Sequence, residues 1–395
     1  MELALYKRLC AAIDENRLSK RLIEMVAIKS ENPFESEACE GFREKEMGEY
    51  YAELMQTLSM DVTCKDIFPD RPNVIGLRKG KVGDYALMLA GHMDTAPSEG
   101  YPDAYDVKQI EGKIYGRGAC DMKAALSVYL EVLEVIQQAD LTLKGDLYIA
   151  GIMDEEHHML GSQHIGQNGP IANQGIIGEP TDLDICPANK GQLGTIIRTF
   201  GKAVHSSKPE NGNNAIVHMA KAIQAFANYN DELLTPPPHP ILGHGRFSPG
   251  VIRGGTILST VPDFCDLEVD RRLFPGESQE QVYKEYRAHL DPLKTKIPGF
   301  DYELKKSTLY NPANDISANE PVVKSTLEGY RHIMNRDTRL KAFAGATDAP
   351  HLGFPTLICG PGSLAQAHSD NEFVEIEQMV QACKLYLWVI MQLLD

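Results

Sequence analysis

The 395-residue chain is 43% apolar and 24% charged, the balance of a globular protein long enough for two domains. Its 39 basic and 55 acidic side chains give a formal charge of −16. A field of that sign repels phosphate backbones and acidic lipid surfaces, which argues against nucleic-acid and membrane partners.

The opening segment, Met1-Glu-Leu-Ala-Leu-Tyr-Lys-Arg-Leu-Cys10, has charges in every apolar stretch, unlike a secretory signal, and no apolar run in the chain approaches the ~20 residues that span a bilayer. The eight cysteines (10, 39, 64, 120, 186, 265, 359 and 383) form no C-x-x-C pair, which fits neither a disulfide framework nor a thiolate metal site. A cytoplasmic location is the expectation.

From about Leu3 to Ile28 the apolar residues recur at helical spacing, predicting one or two amphipathic helices. Short apolar runs follow, each closed by polar or Gly-rich punctuation. Tyr85–Ala90 stops at Gly91-His92-Met93-Asp94, Leu147–Ile152 at Asp154-Glu155-Glu156, Gly175–Gly178 at Glu179-Pro180, and Pro355–Cys359 at Gly360-Pro361-Gly362. Continuous apolar strands separated by helical stretches such as Met122–Gln138 predict an α/β fold, a mostly parallel sheet covered by helices. In such sheets functional groups gather beyond the carboxyl ends of the strands, where each of these polar motifs falls.

Between about Lys190 and Leu304 the pattern changes. Gln192–Phe200 alternates as a half-buried strand, Asn214–Asn228 is helical and Phe247–Arg253 extended. Asp263–Arg272 alternates again, Gln279–Leu290 is helical and Phe300–Leu304 extended. The order β-α-β-β-α-β is ferredoxin-like and predicts an inserted α+β domain. The expected division is a catalytic domain over 1–188 and 307–395, interrupted by an inserted domain over 189–306.

The strand-end residues carry the chemistry. His92 stands two residues before Asp94, and a carboxylate commonly holds the second ring nitrogen of a metal-bound His. Asp121, in Gly116-Arg-Gly-Ala-Cys-Asp121, is placed either to cap a helix or to bridge two cations. Glu155 and Glu156 point in divergent directions, so the dipeptide offers one ligand and one general base. Glu179 ends a strand, and His368 follows the Gly360-Pro-Gly362 turn. Two His and three carboxylates, with a fourth carboxylate left as base, suit zinc better than the all-oxygen ions. Gly116-x-Gly118 lacks the third glycine of a dinucleotide turn and has Asp121 there instead, which excludes pyrophosphate.

The ordered motifs G-H-x-D, G-x-G-x-x-D-M-K, D-E-E, G-E-P-T, H-S-S, D-x-R-x-x-P and G-P-G…A-H run from about Ile28 to Val380. As a set they resemble the acetylornithine deacetylase, succinyl-diaminopimelate desuccinylase, aminoacylase and carboxypeptidase G family of zinc metallopeptidases. Ile176–Thr181 and Cys359–His368 are most similar to its acetylornithine deacetylase branch.

The resemblance implies a di-zinc exopeptidase-like catalytic domain, two zinc ions per chain (with cobalt or manganese as substitutes), and an inserted lid that forms a homodimer contact. It also implies His92, Asp121 and Glu179 as ligands of one zinc and Asp121, Glu156 and His368 as ligands of the other. Glu155 would be the general base, Asp94 the partner of His92, and His205, often from the partner subunit, the oxyanion stabiliser. Arg272 would grip the substrate carboxylate, with Arg271 beside it as the alternative. The implied substrate is an N-acyl amino acid, acetylornithine first, or a dipeptide or succinyl-diaminopimelate-like compound.

The chain departs from the family pattern at Ser259 and Thr260, where many members have Asn. His157, His158 and His164 are expected outside the ligand set, and Cys120 in the core.

Overall fold

The computed structural model of the chain describes residues 2–34, 44–305, 309–335 and 338–395. They form two compact units, Met1–Ala188 with Asp315–Asp395, and Asn189–Asn314. The boundary expected at 306/307 lies outside the described residues, as does Cys39. The strand Tyr310–Asn311 still pairs with Gly191–Phe200, which carries the second unit on to Asn314.

The first unit holds a six-stranded sheet in the order Asp61–Phe68, Arg71–Arg78, Asp146–Ile152, Ala86–His92, Gln174–Pro180, Thr356–Gly360. The last four strands run parallel, and the first two form an antiparallel hairpin at one edge. The parallel strands read as unbroken apolar runs because both faces are covered: Gln174–Pro180 is buried throughout, and Ala86–His92 is buried after its first residue. The edge strand Asp61–Phe68 is mostly exposed and carries Asp61, Lys65 and Asp66, charges that discourage a further strand from adding.

The helical N-terminal stretch is two helices, Leu3–Ala11 and Glu15–Ala27. The second begins where the Asp14 carboxylate accepts the amides of Asn16 and Arg17. Helix Ala124–Gln138 is buried on nearly all sides, between Glu15–Ala27, Ile376–Leu394 and the sheet. Its Glu131 is tolerated in the core because Arg17, at 2.6 Å, and Arg21, at 3.4 Å, neutralise it.

Chain order reverses around Ala86–His92. The next sheet strand in sequence, Asp146–Ile152, lies on one side and the one after it, Gln174–Pro180, on the other. Such a switch point leaves a crevice beyond the carboxyl ends of these strands.

The second unit has its sheet in the order Arg246–Gly254, Phe264–Leu273, Gly191–Phe200, Tyr302–Lys305, all antiparallel, with helices Ala215–Ala225, Tyr229–Leu234 and Gln279–Lys296. This is the ferredoxin-like connection. Alternation sets its two faces: Leu193, Ile197, Leu267, Val269 and Leu273 pack with Met219, Val282, Tyr286 and Leu290, while Gln192, Ile196, Asp266, Glu268, Asp270 and Arg272 point the other way.

Candidate active site

His92 ends the central strand and is fully buried. Its Nδ1 lies 2.8 Å from the Asp94 carbonyl oxygen. A carbonyl can only accept, so Nδ1 carries the proton and Nε2, 3.1 Å from Asp121 Oδ1, is the ring atom free to bind a cation. The Asp94 carboxylate, expected on the His92 ring, stands 3.6 Å from Nδ1. It also accepts the amides of Glu155 and Glu156, both at 3.1 Å, and the Asn32 side chain at 2.8 Å. Asp94 therefore positions two functional elements at once, the His by its backbone and the glutamate pair by its side chain.

The glutamate pair follows a sharp turn. Asp154 has φ +69°, a left-handed conformation, and buried bonds hold it there: its Oδ1 accepts Arg71 at 2.8 Å and Asn32 at 3.0 Å, and its amide donates to Glu44.

Asp121 lies in the turn Ala119–Lys123, ahead of helix Ala124–Gln138, and its carboxylate faces His92 and His368 instead of capping that helix. Gly118 has φ +83°, and a Cβ there would fall 2.6 Å from the Thr95 side chain, so the turn requires glycine. Glu372 fixes the turn from the far end of the sequence. Its buried carboxylate accepts the amides of Cys120, at 2.8 Å, and Asp121, at 3.0 Å, and pairs with Arg117 at 2.7 Å. Arg117 also donates to the carbonyls of Pro97, His368 and Ser369, tying the His368 loop to the same bracket.

Two groups of potential ligands result. One ligand atom each from His92, Asp121 and Glu179 lie within 4.8 Å of one another, and so do one each from Asp121, Glu156 and His368. Asp121 belongs to both. His368 Nε2 is 3.0 Å from Glu156 and 3.5 Å from Asp121. One oxygen of Glu156 and one of Glu179 are buried without a hydrogen-bond partner, an arrangement unfavourable for a carboxylate unless a cation completes it.

The titration shifts agree. Burial pushes Glu155 and Glu179 well above the usual carboxylate range, and Glu156 upward, each beside other carboxylates. Burial would also raise Asp121, but hydrogen bonds from His368 and His92 outweigh it and hold Asp121 low. Bonds to Asp121 and Glu156 lift His368 to about 10. The donor set of imidazoles and carboxylates therefore fits two divalent cations sharing Asp121.

Glu155 belongs to neither group, and among the described residues its carboxylate has no hydrogen-bond or ion-pair partner. Cys120 is buried, its thiol raised well above the usual range chiefly by burial, and it donates to Ser363. His157 stacks on His158 and Phe34, and His164 bonds Asn168, all outside the ligand groups.

In the second unit, strand alternation separates the arginine pair. Arg271 is fully buried against Glu277 and Tyr229, whereas Arg272 lies on the open face, 2.9 Å from Asp270. His205 is exposed, and its Nδ1 accepts the Ser207 amide, which leaves the proton on Nε2 in the neutral ring.

Asn32, Arg117, Asp154 and Glu372 are the positioning residues that the pattern did not single out. For Arg117 the one sequence signal was an arginine between two glycines, Gly116-Arg117-Gly118, which marks a turn but not the partner Glu372.

Fold and site together define a metal-dependent hydrolase of amide bonds. The family described as Peptidase family M20/M25/M40 matches residues 88–392, and the chain belongs to it. The acetylornithine deacetylase of Proteus mirabilis is 31% identical over 333 residues, covering 82% of this chain and 84% of that one. The acetylornithine deacetylase of Aliivibrio salmonicida is 30% identical over 365 residues, covering 83% and 93%. A tripeptidase from Staphylococcus aureus shares the fold, with TM-score 0.76 and 24% identity over 96% of this chain and 98% of that one. No helix among the described residues is long and apolar enough to cross a membrane.

Proposed function

We propose that the protein is a di-zinc deacylase that hydrolyses R-CO-NH-CHR′-COO⁻ to a carboxylic acid and a free amino acid, with acetylornithine-like N-acyl amino acids as substrates. The observation that carries the reading is the sharing of Asp121 by two three-residue ligand groups while Glu155 stands beside both and belongs to neither. The kinship with acetylornithine deacetylases supports the acyl amino acid as substrate.

Zinc, when bound by His92, Asp121, Glu179, Glu156 and His368, supplies positive charge that polarises the acyl carbonyl and acidifies water. Glu155 takes the proton of the attacking water and later delivers it to the departing amine nitrogen. His205 offers its Nε2 proton to the oxyanion. Arg272, steadied through Nε by Asp270, keeps its other guanidinium edge for the α-carboxylate.

A homodimer is part of the proposal, supported by the exposed edge strand Arg246–Gly254, with Val251 and Ile252, and by Ile216 and Val217 on helix Ala215–Ala225. Hydrolysis of an N-acyl amino acid panel by zinc-loaded protein tests the activity. Turnover of none of them would sink it.

A further inference from the structure

The glutamate pair lies between two left-handed residues. Asp154, with φ +69°, precedes it, and Met159, with φ +56°, closes the loop at the head of helix Leu160–Asn168. Neither is glycine, so each conformation is strained and persists only where neighbouring groups over-determine it. The Asp154 end has its buried bonds from Arg71 and Asn32 and its bond to Glu44. At the other end the Met159 amide donates to the Asp154 carbonyl at 2.6 Å, and the Met159 carbonyl lies 3.1 Å from the buried Ser162 hydroxyl.

Ser162 has a second partner from far along the chain. Its hydroxyl lies 2.5 Å from Oδ1 of Asp348, a buried residue 186 positions away in the same unit. Asp348 leads the turn Ala349–His351, which Thr347 steadies by accepting the Ala349 amide at 2.9 Å. The turn is seated directly on helix Leu160–Asn168, where a Cβ on Gly166 would collide with the His351 carbonyl oxygen.

Asp348 lies in the field of the site without joining it. It repels Glu155 and Glu179 and is drawn to His92, yet it belongs to neither ligand group. Among the described residues Ser162 is the one hydrogen-bond partner of its carboxyl, no cation pairs with it, and its Oδ2 is buried without a partner. Burial, reinforced by Asp94 and Asp154 and opposed by Ser162 and His92, pushes that carboxyl up to about 7. One hydroxyl proton cannot serve both Asp348 and Met159. A protonated carboxyl donates to Ser162, which is then free to donate to Met159.

Resting on the roles proposed above for Glu155 and Glu156, we propose that Asp348 is a positioning residue: through Ser162 it holds the Met159 end of their loop, as Arg71 holds the Asp154 end. It acts by shape and hydrogen bonding and not as a charge, so an amide can replace it. Asparagine offers Ser162 either a donor or an acceptor at the same place, whereas alanine offers neither.

The test compares full-length Asp348→Ala, Asp348→Asn and Ser162→Ala with the wild type in three measurements. Amide hydrogen exchange in the metal-free protein should quicken over residues 153–163 in the two alanine variants and stay unchanged in the sheet strands. Competition with a chelator should show the more weakly held zinc ion bound about tenfold or more weaker, because Glu156 is carried on the same loop. In zinc-loaded protein kcat for N-acetyl-ornithine should fall by about ten- to a hundredfold, with KM within about threefold. The conservative Asp348→Asn should recover most of each loss. Should Asp348→Ala fail to fold, Ser162→Ala, which deletes one oxygen, carries the comparison with Asp348→Asn. The inference is overturned if the alanine variants keep wild-type exchange and zinc affinity, or if Asp348→Asn loses as much as Ser162→Ala. If the wild type hydrolyses no N-acyl amino acid, the deacylase reading fails by itself, and exchange and zinc affinity still decide whether Asp348 holds the loop.

Discussion

Exchanging one oxygen for nitrogen in each of two adjacent side chains separates base from ligand. Glu155 and Glu156 have equivalent backbone restraints, since Asp94 accepts both amides at 3.1 Å. Their carboxylates differ. Glu156 lies 3.0 Å from His368 within a ligand group, whereas Glu155 lies outside both groups. Glu155→Gln retains shape and removes the proton acceptor, so kcat should fall by about 10²–10⁴, or about 3–5 kcal/mol of transition-state stabilisation, with two zinc ions retained. Glu156→Gln should lose about one zinc equivalent together with activity, because an amide is a poor replacement for a ligating carboxylate. Elemental analysis of desalted protein and steady-state hydrolysis of an N-acyl amino acid read the two effects separately. If Glu155→Gln loses zinc and Glu156→Gln keeps both ions, the roles are reversed and the assignment fails.

Other outcomes follow from the same geometry. Removing metal with a chelator should abolish hydrolysis, and zinc should restore it; activity in protein shown to be metal-free would end the mechanism. In the cation-free chain the His368 interaction is fully present below the ordinary His pKa of about 6.5 and is lost as pH rises through about 10, because His368 is held protonated by Asp121 and Glu156. Zinc loading at pH 8 should therefore expel a proton, visible as a buffer-dependent calorimetric enthalpy, and its absence would remove His368 from the ligand set. Glu372→Ala leaves Arg117 buried without its charge partner and should cost about 3–5 kcal/mol in urea unfolding while lowering zinc content; wild-type values for both would show that the bracket is dispensable. Mixing inactive Glu155→Gln and His205→Ala chains should regenerate activity if His205 serves a partner subunit, and silence despite demonstrated subunit exchange would confine it to its own chain.

The sequence was most readable where an apolar strand meets polar punctuation. His92, Glu155, Glu156 and Glu179 were visible because strands buried on both faces cannot tolerate such residues inside, so their position marks a strand end. The insert was visible through period-two alternation in Gln192–Phe200 and Asp263–Arg272, which also separates Arg271 from Arg272 once the buried face is known. The exposed hairpin strand Asp61–Phe68 gave no such signal, since an edge strand with polar residues on both sides reads as loop. The Arg117–Glu372 bracket could not be read, because its partners are 255 positions apart and no local pattern announces a pairing of that range. The spacing of Asp94 from His92 predicted a contact of its carboxylate, which lies 3.6 Å from Nδ1, but not the closer one at 2.8 Å made by its backbone carbonyl.

The wide separation of Glu372 and His368 from the other site residues has a consequence for how the protein is made. During synthesis, His92, Asp121, Glu155, Glu156 and Glu179 leave the ribosome before the second unit, and His368 and Glu372 only after it. A nascent chain can thus assemble the first ligand group, but Asp121 lacks its Glu372 anchor and the second group lacks His368. Completion of that second group must wait for the last segment to dock beside Gln174–Pro180, a long-range closure that is slow compared with local helix formation. Until that closure the growing polypeptide carries only one of its two candidate ligand groups.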